Sequence, residues 1–167
     1  KSVTSLPSCV VIDDFSLMVE SMVGEVEADR RFQGWKLWEE VNRRVRGLRN
    51  LTRELTSEGT HVVFTCHEKP QRETAGGIVR GGPSLPGQLP ERFTAMADVV
   101  GRVVYNDDSL VWPYQMVTHP QAKYITGDRL SVFPSPGPLN LAEALRASGY
   151  EIPWPEDWMG EVASAMC

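Results

Sequence analysis

The chain lacks several features that would assign it quickly to a class of protein. Its three cysteines form no Cys-x-x-Cys pair and no Cys/His metal-binding spacing, which disfavours both a zinc site and a disulfide scaffold. No apolar run approaches the roughly 18–20 residues that a membrane-spanning helix needs. The amino end shows no basic segment followed by an apolar run, so no secretory signal is predicted. These absences favour a cytoplasmic protein without a membrane partner.

The sequence also lacks a phosphate-binding loop of the G-x-x-x-x-G-K-[ST] type, because none of its 14 glycines precedes a lysine. Its net charge of −5 does not indicate a surface that binds nucleic acid as a whole. The cations are unevenly distributed, however, since 8 of the 17 lysines and arginines lie between Arg30 and Arg53. Acidic residues interleave with them, so a solvated helix face is favoured over a phosphate-binding stripe.

Two apolar segments predict buried strands that end in polar residues. Val10, Val11 and Ile12 form the first, and the carboxylates of Asp13 and Asp14 follow directly. The second runs over 62–66, and a histidine comes after it at position 67. An acid at the end of a buried parallel strand is typical of the Walker B strand of nucleotide-hydrolysing proteins.

The segment between these strands predicts a long amphipathic helix, from Phe32 to Leu55. Apolar residues recur in it at spacings of three and four, which places on one face Trp35, Trp38, Val41, Val45, Leu48, Leu51 and Leu55. We expect this face, including both tryptophans, to lie in the core. Gly59 follows where a helix terminator is expected. A strand, a helix and a strand form a βαβ unit, so the two strands should pair in parallel.

The rest of the chain combines a loop-rich segment with short elements. Glycine and proline are frequent over 68–90, so an irregular, mobile loop is predicted there. Three further strands with short connections, and therefore antiparallel pairing, are predicted at Val99–Tyr105, Leu110–Val117 and Lys123–Thr126. A short helix over Leu139–Ser148 and an irregular tail over 151–167 follow. The predicted fold class is α/β.

The residues after the first two strands are candidates for catalysis. Because the carboxyl ends of parallel strands meet at one edge of a sheet, Asp13, Asp14 and His67 should lie close together. An aspartate in the position of Asp13 can hold Mg²⁺ with its water shell. Asp14 could polarise an attacking water, or it could cap the following helix. His67 could sense a phosphate, or it could only hydrogen-bond a strand end.

Two groups of cations are candidates for binding phosphates. Lys69, Arg72 and Arg80 in the glycine-rich segment could contact a nucleic-acid backbone, or they could lie on a surface excursion. Lys123 and Arg129 could neutralise transition-state charge in the nucleotide site of a neighbouring subunit. An ion pair with the adjacent Asp128 is the alternative for this second group.

The order of these segments resembles the RecA-like AAA-domain ATPases of tailed phages, which are P-loop proteins associated with single-strand DNA recombination and annealing. The resemblance covers about residues 10–150 and rests on Val10–Phe15, the tryptophan-containing helix, 62–69, 81–87, 98–100 and Lys123–Arg129. Its distinctive part is the sequence Thr65-Cys66-His67-Glu68 followed by the glycine- and proline-rich loop and by Asp98-Val99-Val100.

The resemblance implies a RecA-like core over residues 1–150, with a parallel sheet flanked by helices and antiparallel strands after it. It implies an ATPase that uses ATP and Mg²⁺, binds single-stranded DNA and assembles into a ring or filament. The Walker A loop of the family would then precede Lys1. The chain would be the carboxyl-terminal part of the ATPase, and by itself it should not hold ATP tightly.

The resemblance also implies roles for single residues. Asp13 is similar to the acid that supports Mg²⁺ in this family, and His67 to its phosphate sensor. The 68–90 segment matches the loop that faces DNA, and Lys123 or Arg129 an intersubunit contact to the nucleotide.

Two alternatives to a DNA-dependent ATPase remain open. The chain could be a nucleotide-free module for assembly or protein interaction that keeps its acidic pair for structural reasons. It could instead be a metal-dependent nuclease or phosphatase that uses Asp13 and Asp14, although the sequence offers no further tight cluster of acids and histidines.

Overall fold

A computed structural model describes residues 9–108, 113–131 and 133–139, which divide into two compact units. The first unit contains the described residues up to 97 together with Gln121–Ile125, and the second contains those of 98–120 and from 126 onward. Helices and short strands are both present, so the protein is a mixed α/β protein. The predicted helix over Leu139–Ser148 lies outside the described residues except for its first position, and the tail over 151–167 lies wholly outside them. No helix in the described ranges has the length and apolar character needed to cross a bilayer.

The first unit contains three helices and six short strands in its described residues. In chain order they are β1 Cys9–Ile12, α1 Phe15–Ala28, α2 Trp35–Ser57, β2 His61–Phe64, β3 Glu68–Lys69, β4 Arg72–Thr74, β5 Gly77–Val79, β6 Gly82–Pro83 and α3 Leu89–Thr94. The described elements of the second unit are β7 Val99–Val100, β8 Arg102–Tyr105, β9 Tyr114–Val117, β10 Gly127–Asp128 and β11 Gly137–Pro138.

Strands β1 and β2 pair in parallel, as the βαβ pattern predicts. Val10 lies opposite Val62, and Ile12 lies opposite Phe64. The connection between the strands contains two helices, α1 and α2, whereas the apolar periodicity predicts only the second. In the described part of the chain this parallel sheet has only two strands, so the mixed α/β class is observed and a larger RecA-like sheet is not evident.

The core of the first unit is built around Phe15, the first residue of α1. Its side chain is fully buried, and its ring stacks on Phe93 of α3 with a centroid distance of 4.4 Å. The ring also meets Phe64 at the end of β2 edge-on, at 5.2 Å. Val19, Val45, Leu85 and Leu89 complete this buried cluster. Aromatic pairs of this geometry add stabilisation beyond the area they bury, so the cluster holds the ends of β1 and β2 together.

Helix α2 runs over Trp35–Ser57 instead of the predicted Phe32–Leu55, and it is terminated at Gly59 as predicted. Gly59 adopts a φ of +84°, a conformation that costs an L side chain energy but not glycine. The Thr60 N–H donates to the Leu55 carbonyl at 3.0 Å and the Gly59 N–H donates to Thr56 at 3.1 Å, which is the Schellman pattern. The chain is thereby turned directly into β2.

The predicted burial of the two tryptophans on α2 is wrong. Trp35 is 69% exposed and Trp38 is 46% exposed, whereas Leu37, Val41 and Val45 are buried. Leu37 and Val41 pack against Val26 of α1, and Val45 packs with Phe15. The helix therefore buries a narrow stripe with a spacing of four residues, and both tryptophans lie beside that stripe.

The segment over 68–90 is not the irregular loop that its composition predicts. Strand β3 pairs with β6, and between them β4 pairs with β5, so two antiparallel pairs are nested within the segment. A parallel bridge joins Gly81 to Tyr124, with the Gly81 N–H donating to the Lys123 carbonyl at 2.8 Å. A Cβ atom at position 81 would lie 2.5 Å from the Tyr124 ring, so the close approach requires glycine. Glycines thus serve the packing of this segment as well as its turns.

The second unit is antiparallel in its described residues, as predicted for the later strands. Strand β8 pairs with β9, β9 with β11, and β7 with β10. The strand predicted over Val99–Tyr105 is divided at Gly101, where a Cβ atom would approach the Met116 sulfur to 2.5 Å. Of the strand predicted over Leu110–Val117, the part over 110–112 is outside the described residues. The prediction of a strand over Lys123–Thr126 is wrong. These residues form only the single bridge at Tyr124, and the next strand begins at Gly127.

We predict that Glu40 stabilises the fold at neutral pH and that acid removes this contribution. A hydrogen bond from Arg43, with a second from Arg44, holds the pKa of Glu40 at about 2, below its ordinary 4.5. The carboxylate therefore stabilises the fold above about pH 4.5 and loses this contribution as the pH falls towards 2. Chemical denaturation should show Glu40→Gln to be destabilised at pH 6, with the difference from wild type shrinking as the pH approaches 2.

Glu54→Gln on the same helix is the matched control, since Glu54 is exposed and forms no ion pair within the described residues. A deficit of Glu40→Gln that stays constant from pH 6 to pH 2 would contradict this prediction.

Candidate functional site

The parallel pairing of β1 and β2 continues into the residues that follow them. The Thr65 N–H donates to the Ile12 carbonyl at 3.1 Å, and the Phe15 N–H donates to the Thr65 carbonyl at 2.9 Å. These two bonds place Asp13 beside Thr65, whose hydroxyl donates to the Asp13 carboxylate. Asp13 is exposed. One carboxylate is therefore oriented at the carboxyl edge of the sheet while it remains open to solvent.

Asp14 is held at both oxygens of its carboxylate. Oδ1 accepts a hydrogen bond from the Leu17 N–H at 3.2 Å, so that Asp14 is the N-cap of α1. Oδ2 lies 2.9 Å from Nε2 of His67, whose side chain is 68% exposed. The capping interpretation of Asp14 is confirmed. Asp13, Asp14 and His67 share one edge, as predicted from the parallel pairing.

Hydroxyl and thiol groups complete this edge. The buried Ser16 accepts a hydrogen bond from the His67 N–H at 3.1 Å through its Oγ atom. Burial raises the pKa of the Cys66 thiol. A hydrogen bond with Ser16 lowers this pKa, and the negative charge of Asp14 raises it, so the net shift is upward. The thiol is therefore protonated at neutral pH and is not an activated nucleophile. Sequence reasoning missed Thr65 and Ser16 as partners of the site, because only the parallel register singles them out.

The pairs β3–β6 and β4–β5 over residues 68–83 are here called the nested hairpins. Their base, formed by β3 and β6, adjoins the carboxyl edge. The Ser84 N–H donates to the His67 carbonyl at 2.7 Å, immediately before β3 begins. Lys69 in β3 donates from Nζ to the Leu85 carbonyl at 3.1 Å. Arg72 and Arg80 are exposed, the first in β4 and the second directly after β5. Of the three predicted DNA contacts, one is anchored at the hairpin base and two extend from the hairpin.

The other two predicted cations fall in different units. Lys123 lies in the first unit, where its carbonyl accepts the Gly81 bond, and its side chain is exposed. Arg129 lies in the second unit, and its N–H donates to the Asp98 carbonyl at 2.8 Å. The neighbouring Asp128 accepts hydrogen bonds through its carboxylate from the N–H groups of Leu130, Ser131 and Phe133. Asp128 therefore stabilises the turn that follows β10.

Asp13 supplies the candidate metal ligand at the carboxyl edge. Within the described ranges, no three His, Cys, Asp or Glu side chains lie close enough together to form a metal site. Mg²⁺ keeps several of its waters and often uses one or two carboxylates. Asp13, with a neighbouring hydroxyl that fixes its orientation, has the oxygen chemistry that this mode of binding requires.

The fold and this edge together define a mixed α/β chain with two aspartates and a histidine at the end of a parallel strand pair. Comparisons with protein-family models, with curated proteins and with solved structures found no match to this chain.

We predict that Asp14 stabilises the fold mainly as a helix cap. Asp14→Ala should lower the free energy of unfolding by about 0.5–2 kcal/mol, because the first turn of α1 loses its side-chain acceptor. Asp14→Asn keeps an acceptor of similar capping strength and should stay within a few tenths of a kcal/mol of wild type. Urea denaturation at pH 7 measures both. Equal losses in the two variants would show that the contact with His67, and not the cap, dominates.

Proposed function

We propose that this chain is the carboxyl-terminal part of a Mg²⁺-dependent ATPase that acts on DNA and has a RecA-like core. One observation carries the proposal: the parallel pairing of β1 and β2 brings Asp13, Asp14 and His67 to one carboxyl edge. Open α/β sheets bind their ligands at this edge. The proposal requires a phosphate-binding loop, which the 167 residues do not contain.

Asp13 is the metal-supporting acid in this proposal. Its carboxylate is exposed and fixed by the Thr65 hydroxyl, so it can accept hydrogen bonds from the water shell of Mg²⁺. The ion, when bound, would neutralise charge that develops on the phosphate groups during transfer. Thr65 is proposed as a positioning residue, because its hydroxyl contacts the Asp13 carboxylate.

His67 is the proposed phosphate sensor, and Asp14 positions it. Asp14 binds Nε2 of the imidazole through one oxygen while the other oxygen stays on the cap of α1. Nε2 can donate to a phosphate oxygen only by leaving or sharing this contact, whereas Nδ1 of a protonated ring can donate while the contact is kept. The His67 carbonyl accepts a hydrogen bond from the Ser84 N–H, so a movement of the backbone at position 67 would displace the base of the nested hairpins.

The nested hairpins are the proposed DNA-contacting element, and the protein is proposed to act as a ring or filament. Arg72 and Arg80 offer exposed guanidinium groups for phosphates, and Lys69 supports the hairpin base. Lys123 and Arg129 are the proposed contacts to nucleotide in a neighbouring subunit. Single-stranded DNA is the proposed partner.

We predict that Asp13→Asn abolishes ATP turnover in the protein that carries both this chain and a phosphate-binding loop. The amide keeps the shape of the side chain but removes the charge that supports Mg²⁺, so kcat should fall by at least about 100-fold. Asp107→Asn makes the same change on an exposed turn of the second unit and should leave kcat unchanged. Steady-state phosphate release measures both. A kcat of Asp13→Asn within twofold of wild type would refute the assignment.

A nucleotide-free assembly or interaction module is the second candidate function. This function is favoured because both aspartates make contacts that stabilise the fold. Asp14 caps α1 and contacts His67, and Asp13 accepts a hydrogen bond from Thr65. On this interpretation the wild-type protein does not hydrolyse ATP, and Asp13→Asn changes only the stability of the fold. Detection of Mg²⁺-dependent ATP turnover in the wild-type protein decides between the two.

We predict that the hairpin arginines contribute to DNA affinity by releasing counterions. Replacing Arg72 and Arg80 by alanine should make log K against log salt less steep by about 1.4 for a single strand, because each phosphate contact contributes about 0.7. Arg92→Ala is a control at an exposed cation on α3, where the side chain is bonded to Gln88. Fluorescence anisotropy at several salt concentrations gives the slopes. An unaltered slope in the double variant would count against the hairpin as a DNA contact.

A further inference from the structure

Two large aromatic side chains are exposed on α2. Trp35 is 69% exposed and Trp38 is 46% exposed, although tryptophan is strongly buried on average. They stand three residues apart at the start of the helix, so they lie on neighbouring positions of one face. Two adjacent indole rings open to solvent present flat surfaces on which planar ligands can stack.

The same side of α2 carries three arginines. Positions 35, 38, 42, 46, 49 and 53 follow each other at spacings of three and four, which keeps them on one line along a helix. This line, here called the Trp-Arg stripe, contains Trp35, Trp38, Arg46, Arg49 and Arg53. From its first to its last residue it is about 27 Å long at 1.5 Å per residue.

The ion pairs within α2 do not include the arginines of the Trp-Arg stripe. The ion pairs of α2 join Glu40 to Arg43 and Arg44, which lie on another side of the helix. Within the described residues, Arg46, Arg49 and Arg53 form no salt bridge. A groove of about 310 Å³ adjoins the stripe at Arg46, and its lining also contains the cations Arg31, Lys36 and Arg43 and the acids Glu39 and Glu40.

We propose that the Trp-Arg stripe binds single-stranded nucleic acid, with bases stacked on Trp35 and Trp38 and the phosphate backbone running along the three arginines. Sequence-independent single-strand binding combines stacking platforms with a cationic track, and both are present here on one rigid element. An acidic peptide would use the arginines without the indole faces. Unpaired bases use both, whereas a duplex keeps its bases stacked inside and would engage only the arginines.

This inference does not rest on the proposed ATPase. The stripe lies on α2, and the proposed nucleotide site and DNA-contacting hairpins are built from other elements. Binding by the stripe is therefore tested without ATP or Mg²⁺. A failure of ATP hydrolysis leaves it standing, and a failure of the stripe leaves the ATPase standing.

The experiment uses the 167-residue chain and a fluorescein-labelled 12-residue oligothymidylate, with anisotropy as the readout. Trp35→Ala with Trp38→Ala should weaken binding by about tenfold or more, because each stacked base contributes substantially. Trp35→Phe with Trp38→Phe keeps an aromatic face and should recover part of the loss. Glu39→Gln removes a like charge beside the phosphates and should tighten binding.

The arginines are tested through salt dependence. Arg46→Gln with Arg53→Gln should make log K against log salt less steep by about 1.4 for the oligothymidylate. Arg30→Gln is the matched control, since it removes an exposed cation from the connection between α1 and α2 and not from the stripe. Its slope should remain that of wild type.

Three results would overturn the proposal. The first is unchanged affinity in the Trp35→Ala, Trp38→Ala variant while circular dichroism shows a folded helix. The second is competition by poly-glutamate that equals competition by unlabelled oligothymidylate. The third is a dimer of the chain that dissociates when the tryptophans are replaced, which would make the stripe a contact between copies.

Discussion

The hydrogen bond from the Phe15 N–H to the Thr65 carbonyl is the constraint on which the rest of the first unit depends. It extends the parallel pairing of β1 and β2 by one step, and the buried Phe15 ring fixes that step against Phe64 and Phe93. Asp13 and Asp14 immediately precede this anchored residue, so their backbone positions are set by the core and not by solvent-exposed contacts. The site is thus attached directly to the buried aromatic cluster of the unit.

Function and stability are combined in a few residues at the carboxyl edge. Asp14 satisfies a helix end with one oxygen and orients His67 with the other, so the histidine is positioned by the same carboxylate that begins α1. From His67 a backbone bond leads to Ser84 and thus to the nested hairpins. A ligand that displaced His67 from Asp14 would therefore act on a helix cap and on the hairpin base together.

Local patterns in the sequence predicted the elements that depend on local physics. The β-branched strands, the acidic helix cap at Asp14 and the terminator Gly59 were predictable because each depends on neighbouring residues. The exposure of Trp35 and Trp38 was not, because periodicity reports which residues are apolar and not where a neighbouring helix makes contact. The pairing of Asp13 with Thr65 could be predicted only from the register of two strands, because these residues are 52 positions apart. The strand pairs within 68–90 could not be predicted from the sequence, because frequent glycine and proline residues indicate a loop.

The outer edges of the pair β4 and β5 are both unpaired by any strand among the described residues. Its exposed Ile78 and Val79 would make such edges attractive templates for further strands from other molecules. Charged side chains stand in the same short pair, with Arg72 and Glu73 in one strand and Arg80 directly after the other. These charges oppose intermolecular strand addition, so the residues proposed to contact DNA also protect the protein from aggregation.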